Sequence, residues 1–332
     1  MDIVFIASGG GHTGYAIAIA ERLRDLCKDI ELTFIVPSND RWSINRIRKR
    51  IQKKIHIIEV EKPLKPGEPF SKIFARMPKA IYDSLTKITG RGIIICTGSN
   101  HGLAPSIIGK YLHRYQLFCL EDIFRLTNMS KANRILYRLF NAYMFLQWSE
   151  QKKFYPKRSV VVGPVYEKPI YSSWRGDYVL VITGTMGHKR LIDILLKTNL
   201  ENVVVQTGPL DPSYITRIKP EWKSFRYDPD IDKWIAGAKV VISHPGVTMV
   251  NAVLAYHKPV IVVYNPDIPA ANYPNIIGAC RKLGVKFLDI DSLTPSLLEE
   301  IVHYSPYLEH PHKVEYVDGA LNIAKIISRF VC

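Results

Sequence analysis

Short apolar, β-branched runs alternate along the whole chain with stretches whose apolar residues recur at helical spacing. The runs at 2–7, 31–36, 55–60, 92–96, 116–120 and 159–162, and again at 178–183, 202–206, 239–243, 259–263 and 285–288, predict strands. Between them the spacing predicts amphipathic helices at 13–27, 103–113, 131–146, 189–197, 247–256 and 271–283, and helical spacing returns at 314–330. Strands that are apolar throughout and separated by helices belong in parallel sheets covered on both faces, so the fold class is α/β. From Gly163 to Gly176, prolines and glycines interrupt both periodicities, which predicts a linker. The chain thus divides into a Rossmann-like domain at 1–165, a second at 177–305, and a segment at 306–332 whose helix could pack back on the first domain.

The 332 residues suffice for two such cores, and an apolar content of 47% excludes a disordered chain. No apolar run approaches the ~20 residues of a membrane span and no signal peptide precedes the first strand, so a cytoplasmic protein, soluble or peripheral, is expected. Cys27, Cys96, Cys119, Cys280 and Cys332 are scattered without a CxxC pair and read as reduced thiols, not a disulfide frame or a zinc site. The net charge of +15 favours an anionic partner: nucleic acid, anionic lipid headgroups or a diphosphate. A solvated basic surface is the plainer account of the same charge.

Two strands break into glycine-rich turns that open helices, Ser8-Gly9-Gly10-Gly11-His12-Thr13-Gly14 and Thr183-Gly184-Thr185-Met186-Gly187-His188. Such a turn leaves backbone N–H groups free at the positive end of a helix dipole, where phosphate binds. The spacing Gly9-x-Gly11-x-x-Gly14 fits a dinucleotide fingerprint, but the second strand runs into Pro37-Ser38-Asn39-Asp40 with no acid closing it, which argues against a dehydrogenase. A GxxxxGK[ST] loop is absent, which argues against a nucleoside triphosphatase. His12, on a strand-to-helix turn, is the candidate general base; the plainer reading is a helix-capping loop histidine. Glu121 closes the strand Gln116–Leu120 at its carboxyl end, where open sheets bind ligands, and a Glu–Arg pair holding a loop is its plainer reading.

In order and spacing these motifs resemble a known family. Ser8 through Gly14, then Glu121 and Arg125, Met129-Ser130, Gln147-Trp148, Tyr155-Pro156 and Gly163 look like the membrane-associated subunit of the eukaryotic UDP-GlcNAc transferase acting on dolichyl-diphosphate-GlcNAc. Thr183-Gly184-Thr185, the run Ala238 to Gly246 with its Ser243-His244-Pro245-Gly246, and Lys258 to Val263 are similar to that enzyme's donor-binding subunit. The resemblance covers roughly residues 1–165 and 178–305, and the bacterial MurG-type transferases share the plan in one chain. It implies a GT-B glycosyltransferase: two Rossmann-like domains facing a cleft, the two eukaryotic subunits fused in acceptor–donor order. The implied reaction is an inverting, metal-independent transfer of GlcNAc from UDP-GlcNAc to a polyprenyl-diphosphate-linked sugar in N-glycan precursor assembly, with no cofactor and no nucleic-acid partner.

On this resemblance His12 is the base, with Glu121 orienting it or touching the acceptor sugar. The acceptor falls to Gly10, Gly11, Thr13, Gly14, Asn100 and Arg125. The donor falls to Gly184, Thr185, Met186, Gly187, His188, His244 and Gly246, with backbone N–H groups at 185–187 facing the diphosphate. The family's ribose-binding glutamate, eight residues beyond the Ser-His histidine, is Ala252 here, and its His-Gln pair is Asn272-Tyr273. Asn251, Asn272 or Asn275 would then take over the ribose, and another nucleotide sugar stays open as donor. Tyr15 stands where the eukaryotic sequences have glutamate. A nucleotide-sugar epimerase is the rival enzyme, and a non-catalytic membrane or nucleic-acid binding module the rival of another class.

A lipid-linked acceptor implies a peripheral protein on the inner face of the cell membrane; a homo-oligomer is left open. The basic stretch Arg41 to Lys54, with Trp42, Ile44, Ile47 and Ile51 among Arg46, Arg48, Lys49 and Arg50, reads as the lipid-binding element or else as a surface helix with its isoleucines inward. Phe70, Ile73, Phe74 and Met77, after the proline-rich stretch 63–69, could add a shallow apolar insertion.

Overall fold

A computed structural model, which describes every residue except 53, 66, 268–271 and 306–315, folds the apolar runs into two all-parallel sheets. The chain runs β1 (Asp2–Ile6), α1 (Gly11–Leu26), β2 (Leu32–Pro37), α2 (Arg41–Ile51), β3 (Ile55–Val60), α3 (Lys72–Lys87), β4 (Gly92–Cys96), α4 (Leu103–Leu112), β5 (Gln116–Leu120), α5 (Lys131–Leu139), β6 (Tyr143–Leu146) and β7 (Ser159–Val161). It continues as β8 (Val179–Ile182), α6 (Lys189–Leu195), β9 (Val203–Gln206), α7 (Ser213–Thr216), β10 (Lys223–Phe225), α8 (Ile231–Gly237), β11 (Val240–Ser243), α9 (Val247–Leu254), β12 (Val260–Tyr264), α10 (Tyr273–Leu283), β13 (Lys286–Asp289), α11 (Pro295–Tyr304) and α12 (Gly319–Val331). Two compact units result: Met1–Glu167 with Tyr316–Cys332, and Lys168–Glu315.

The first sheet has the order β3-β2-β1-β4-β5-β6-β7 and the second β10-β9-β8-β11-β12-β13. Each order reverses direction beside its first strand, so the switch point lies between β1 and β4 in one unit and between β8 and β11 in the other. Register sets the switch-point turns side by side, because Ile6 pairs with Cys96 and Ile182 with Ser243. Central strands are buried on both faces, which is why they read as unbroken apolar runs: Ile3 to Ile6, Ile93 to Cys96 and Val179 to Ile182 are all at most 5% exposed. Each such side chain contributes roughly 1.5–3 kcal/mol by leaving water.

Right-handed crossovers place α1 and α2 on one face of the first sheet and α3, α4 and α5 on the other. In keeping with that, α1 packs on α2 and α12, and α3 packs on α4. The docking of α12 is apolar, through the buried Ala320, Ile323, Ala324 and Ile327.

Two expectations need correction and a third is narrowed. The predicted helix 131–146 ends at Leu139; Asn141 takes φ 48°, and Tyr143–Leu146 becomes a strand between β5 and β7. A four-residue apolar run carries no period of its own, so its neighbours decide its state. Secondly, Cys27 and Cys332 are not free thiols but form a disulfide, their Cα atoms 6.1 Å apart, leaving Cys96, Cys119 and Cys280 buried and free. Thirdly, of the two readings of α2 the structure fits the surface helix with its isoleucines inward. Its Ile47 and Ile51 are buried, Arg46 pairs with the buried Glu167 at 2.7 Å, and Arg50 pairs with Glu21 at 2.6 Å. Of the earlier expectations, residues 306–315 and the helix start at Ala271 lie outside the described residues.

Candidate active site

In the first unit the β1 strand ends at the switch point and the chain turns through Gly9 and Gly10, both at positive φ, before α1 opens at Gly11. His12 therefore sits in the first turn of α1, half-buried. Its Nδ1 lies 2.6 Å from the carbonyl oxygen of Thr97, just beyond β4. A carbonyl only accepts, so in the neutral ring Nδ1 carries the proton and Nε2 keeps the lone pair. Burial pushes the His12 pKa down; Lys62 and Arg125 add to this, while Asp122 and the Thr97 hydrogen bond oppose it. The lowered pKa favours the neutral imidazole, the form in which a general base acts.

Thr97, Lys62 and Asp122, not singled out in the sequence, complete this corner with Ser8. Thr97 Oγ1 bonds Ile6 O at 2.8 Å and His12 O at 2.9 Å, and Ser8 Oγ donates to Gly98 O at 3.0 Å. Lys62 Nζ donates to Ser8 O at 2.7 Å, and burial lowers its pKa. Asp122, directly after the chosen Glu121, is the acid whose charge acts on His12. Position beyond a strand end is the one sequence signal that Thr97 and Asp122 offer.

Glu121 proves to be a fully buried clasp. Its Oε1 accepts from Asp122 N at 2.8 Å, and Oε2 accepts from Ser130 N at 3.2 Å and from the Tyr155 hydroxyl. Burial raises its pKa, and these donors offset part of the rise. The carboxylate thus ties the loop from β5 to α5, and the hydrogen bond at His12 Nδ1 goes to Thr97 O. Two proposed acceptor residues are also committed internally. Thr13 Oγ1 accepts from Gly9 N at 3.2 Å and pairs with Ser43 Oγ at 2.9 Å; Asn100 grips the main chain of Leu64 through Oδ1 at 3.1 Å and Nδ2 at 3.0 Å. Gly14 is buried inside α1, Gly10 is its N-cap and Gly11 is exposed; Arg125, half-exposed, donates to Asn128 Oδ1 at 3.1 Å.

In the second unit Thr183 and Gly184 follow β8, and His244 follows β11 across the switch point. Gly184 has φ 72°, and a Cβ there would fall 2.3 Å from His244 Cε1, so only glycine lets these two turns meet. His244 Nδ1 lies 3.4 Å from Ile182 O, and burial lowers its pKa. Thr185 and Met186 are exposed at the tip of the turn, whereas the Gly187 N–H is already given to Gly184 O at 3.4 Å. His188 is buried and caps α6, its Nδ1 accepting from Leu191 N at 3.4 Å, with burial holding its pKa near 4; this leaves the proton on Nε2. Gly246 is the extended N-cap of α9. Asn251 and Asn275 are buried, at 2% and 1% exposure, and Asn272 Oδ1 caps α10 by accepting from Asn275 N at 3.2 Å. Ala252, next to Asn251, is fully buried.

Residues 178–303 match the Glycosyltransferase family 28 C-terminal domain. The whole chain is similar, at 22% identity, to the UDP-N-acetylglucosamine--N-acetylmuramyl-(pentapeptide) pyrophosphoryl-undecaprenol N-acetylglucosamine transferase of Caldicellulosiruptor saccharolyticus, covering 100% of this chain and 98% of that protein. Among solved structures, MurG of Acinetobacter baumannii shares the fold with a TM-score of 0.59 at 16% identity, covering 99% of this chain and 100% of that one. The UDP-GlcNAc 2-epimerase of Neisseria meningitidis, bound to UDP-GlcNAc, shares it with a TM-score of 0.62 at 13% identity, covering 100% and 99%. The chain folds as the two parallel-sheet units of the GT-B plan, and its second unit carries the match to the glycosyltransferase family 28 C-terminal domain.

Proposed function

We propose that this chain transfers GlcNAc from UDP-GlcNAc to a sugar carried on a polyprenyl diphosphate, inverting the anomeric centre. The acceptor hydroxyl gives its proton to His12 Nε2, its oxygen bonds to the anomeric carbon, and the bond to the diphosphate oxygen breaks as UDP leaves. The observation that carries this reading is the geometry of His12: at the switch point of the first sheet, its Nδ1 lies 2.6 Å from Thr97 O, which leaves Nε2 as the free nitrogen. In the second unit the exposed Thr185–Met186 turn and the start of α9 supply main-chain N–H groups for the departing diphosphate. The name of the similar Caldicellulosiruptor transferase supports a lipid-diphosphate acceptor. Its acceptor carries N-acetylmuramyl-pentapeptide, so that compound and dolichyl-diphosphate-GlcNAc are the two acceptors to compare.

A polyprenyl acceptor calls for attachment at the membrane, on its inner face in this reading. We assign the contact to the α3–α4–α5 face of the first unit, which exposes Phe74 at 73%, Tyr82 at 66%, Leu112 at 62% and Leu139 at 69% among exposed Lys72, Lys79, Lys131, Arg134 and Arg138. No described helix is long and apolar enough to cross a membrane.

The test is a transfer assay with radiolabelled UDP-GlcNAc against both lipid acceptors and against none. Transfer to either lipid that falls roughly 10²–10⁴-fold in His12→Ala supports the proposal. Conversion of UDP-GlcNAc with no lipid present would point to an epimerase instead, and undiminished transfer by His12→Ala would remove the base.

A further inference from the structure

We infer that Thr97 and Gly98 form the positioning element of the reaction: this turn holds His12 in the Nδ1–H form, so that Nε2 is the atom that receives the acceptor's proton. The inference rests on His12 being the base. Its foundation is the geometry of one carbonyl. A base histidine needs its second nitrogen tied to an acceptor, or the ring can rotate and exchange tautomers. Here the tie is the neutral Thr97 oxygen, 2.6 Å from Nδ1, and no carboxylate takes that place.

That carbonyl is fixed from three sides. Parallel pairing of Ile6 with Cys96 brings the ends of β1 and β4 level, so Thr97 emerges beside the turn that carries His12. The Thr97 hydroxyl shares its one proton between Ile6 O at 2.8 Å and His12 O at 2.9 Å, which holds the ends of β1 and β4 together. On the far side, Gly98 O accepts from Ser8 Oγ at 3.0 Å, which sets the plane of the next peptide. Thr97, Ser8 and Gly98 are all buried, so water does not compete for these bonds.

Gly98 meets a second demand. Its φ is +103°, and a Cβ built there would lie 3.0 Å from His12 Cε1 and 3.3 Å from Nδ1. Any side chain would strain the backbone and press the ring off the Thr97 carbonyl. The same wall faces the imidazole edge, so the carbonyl and the missing Cβ together define one ring orientation. The charged groups acting on that ring are Asp122, Lys62 and Arg125.

The experiment combines nitrogen-15 NMR of labelled histidine near neutral pH with kinetics of Thr97→Val, Thr97→Ser and Gly98→Ala. Thr97→Val removes the hydroxyl bonds at nearly constant volume, and Thr97→Ser restores them. We expect His12 as the Nδ1–H tautomer in the unaltered protein and a mixture in Thr97→Val. That variant should lose roughly 10²-fold in kcat, as small misplacements of catalytic groups do, with KM for both substrates nearly unchanged. Thr97→Ser should recover most of the rate and the single tautomer. An Nε2–H tautomer in the unaltered protein, or Thr97→Val with full kcat, overturns the inference even where His12→Ala is inactive. Conversely, an active His12→Ala variant defeats the base assignment, and the NMR result still decides the tautomer. Gly98→Ala adds the ring-displacement test; if it does not fold, the threonine pair decides alone.

Discussion

His101 is wholly buried, its Nε2 donating to Val60 O at 3.1 Å, and burial pushes its pKa down to about 3. The unfolded chain would protonate it near 6.5. Between those values the unfolded state binds a proton that the folded state refuses, so stability falls as pH drops below about 6.5. The loss from pH 7 to 4.5 should be about 2.5 kcal/mol from this residue. His101→Gln, whose amide can still donate to Val60, should flatten the acid limb of denaturation midpoint against pH by about that amount; equal slopes for both proteins would refute it. His12 was legible in the sequence because glycines clear the space around a titratable ring at a strand end. Thr97 was not, because it acts through a main-chain oxygen that every residue owns. Glu121 shows the opposite failure: its position marked the ligand edge, but burial and the Tyr155 hydroxyl turned it inward.

At the level of elements, α2 and α3 both carry apolar and basic residues, and only packing tells them apart. The face that α2 turns to the sheet contains Ile47 and Ile51, and its arginines 46 and 50 are tied to Glu167 and Glu21. The crossovers put α3 on the opposite face, where Phe74 and Tyr82 stay exposed. Phe74→Glu with Tyr82→Glu should therefore abolish most sedimentation with anionic vesicles. Neutralising Arg48 and Lys49 of α2 should change it little, although a basic residue facing an anionic leaflet contributes about 1 kcal/mol. Unchanged vesicle binding by the double glutamate variant would remove the α3–α5 face from the proposal. The charge run misled because a one-dimensional pattern does not say which residues have counter-ions brought from afar.

Across the whole molecule, the first unit is discontinuous and its last helix is fastened to α1 by the disulfide between Cys27 and Cys332, 305 residues apart. Cys332→Ser, or reductant, should lower the thermal midpoint of the first unit by a loss of roughly 2–4 kcal/mol. Five alkylatable thiols in the denatured, unreduced protein, where three are expected from the free Cys96, Cys119 and Cys280, would show the bond to be absent. The amino-acid sequence by itself determined the two parallel sheets, the glycine turns at their strand ends and the placing of His12. Apolar runs and glycines act locally, through burial on both faces and through φ. Tertiary structure alone decided what joins Cys27 to Cys332, which basic residues are neutralised, whether Tyr143–Leu146 is helix or strand, and which polar groups near His12 are free. Each of those depends on partners distant in sequence, and the sheet order brings such partners together with no local pattern to announce them.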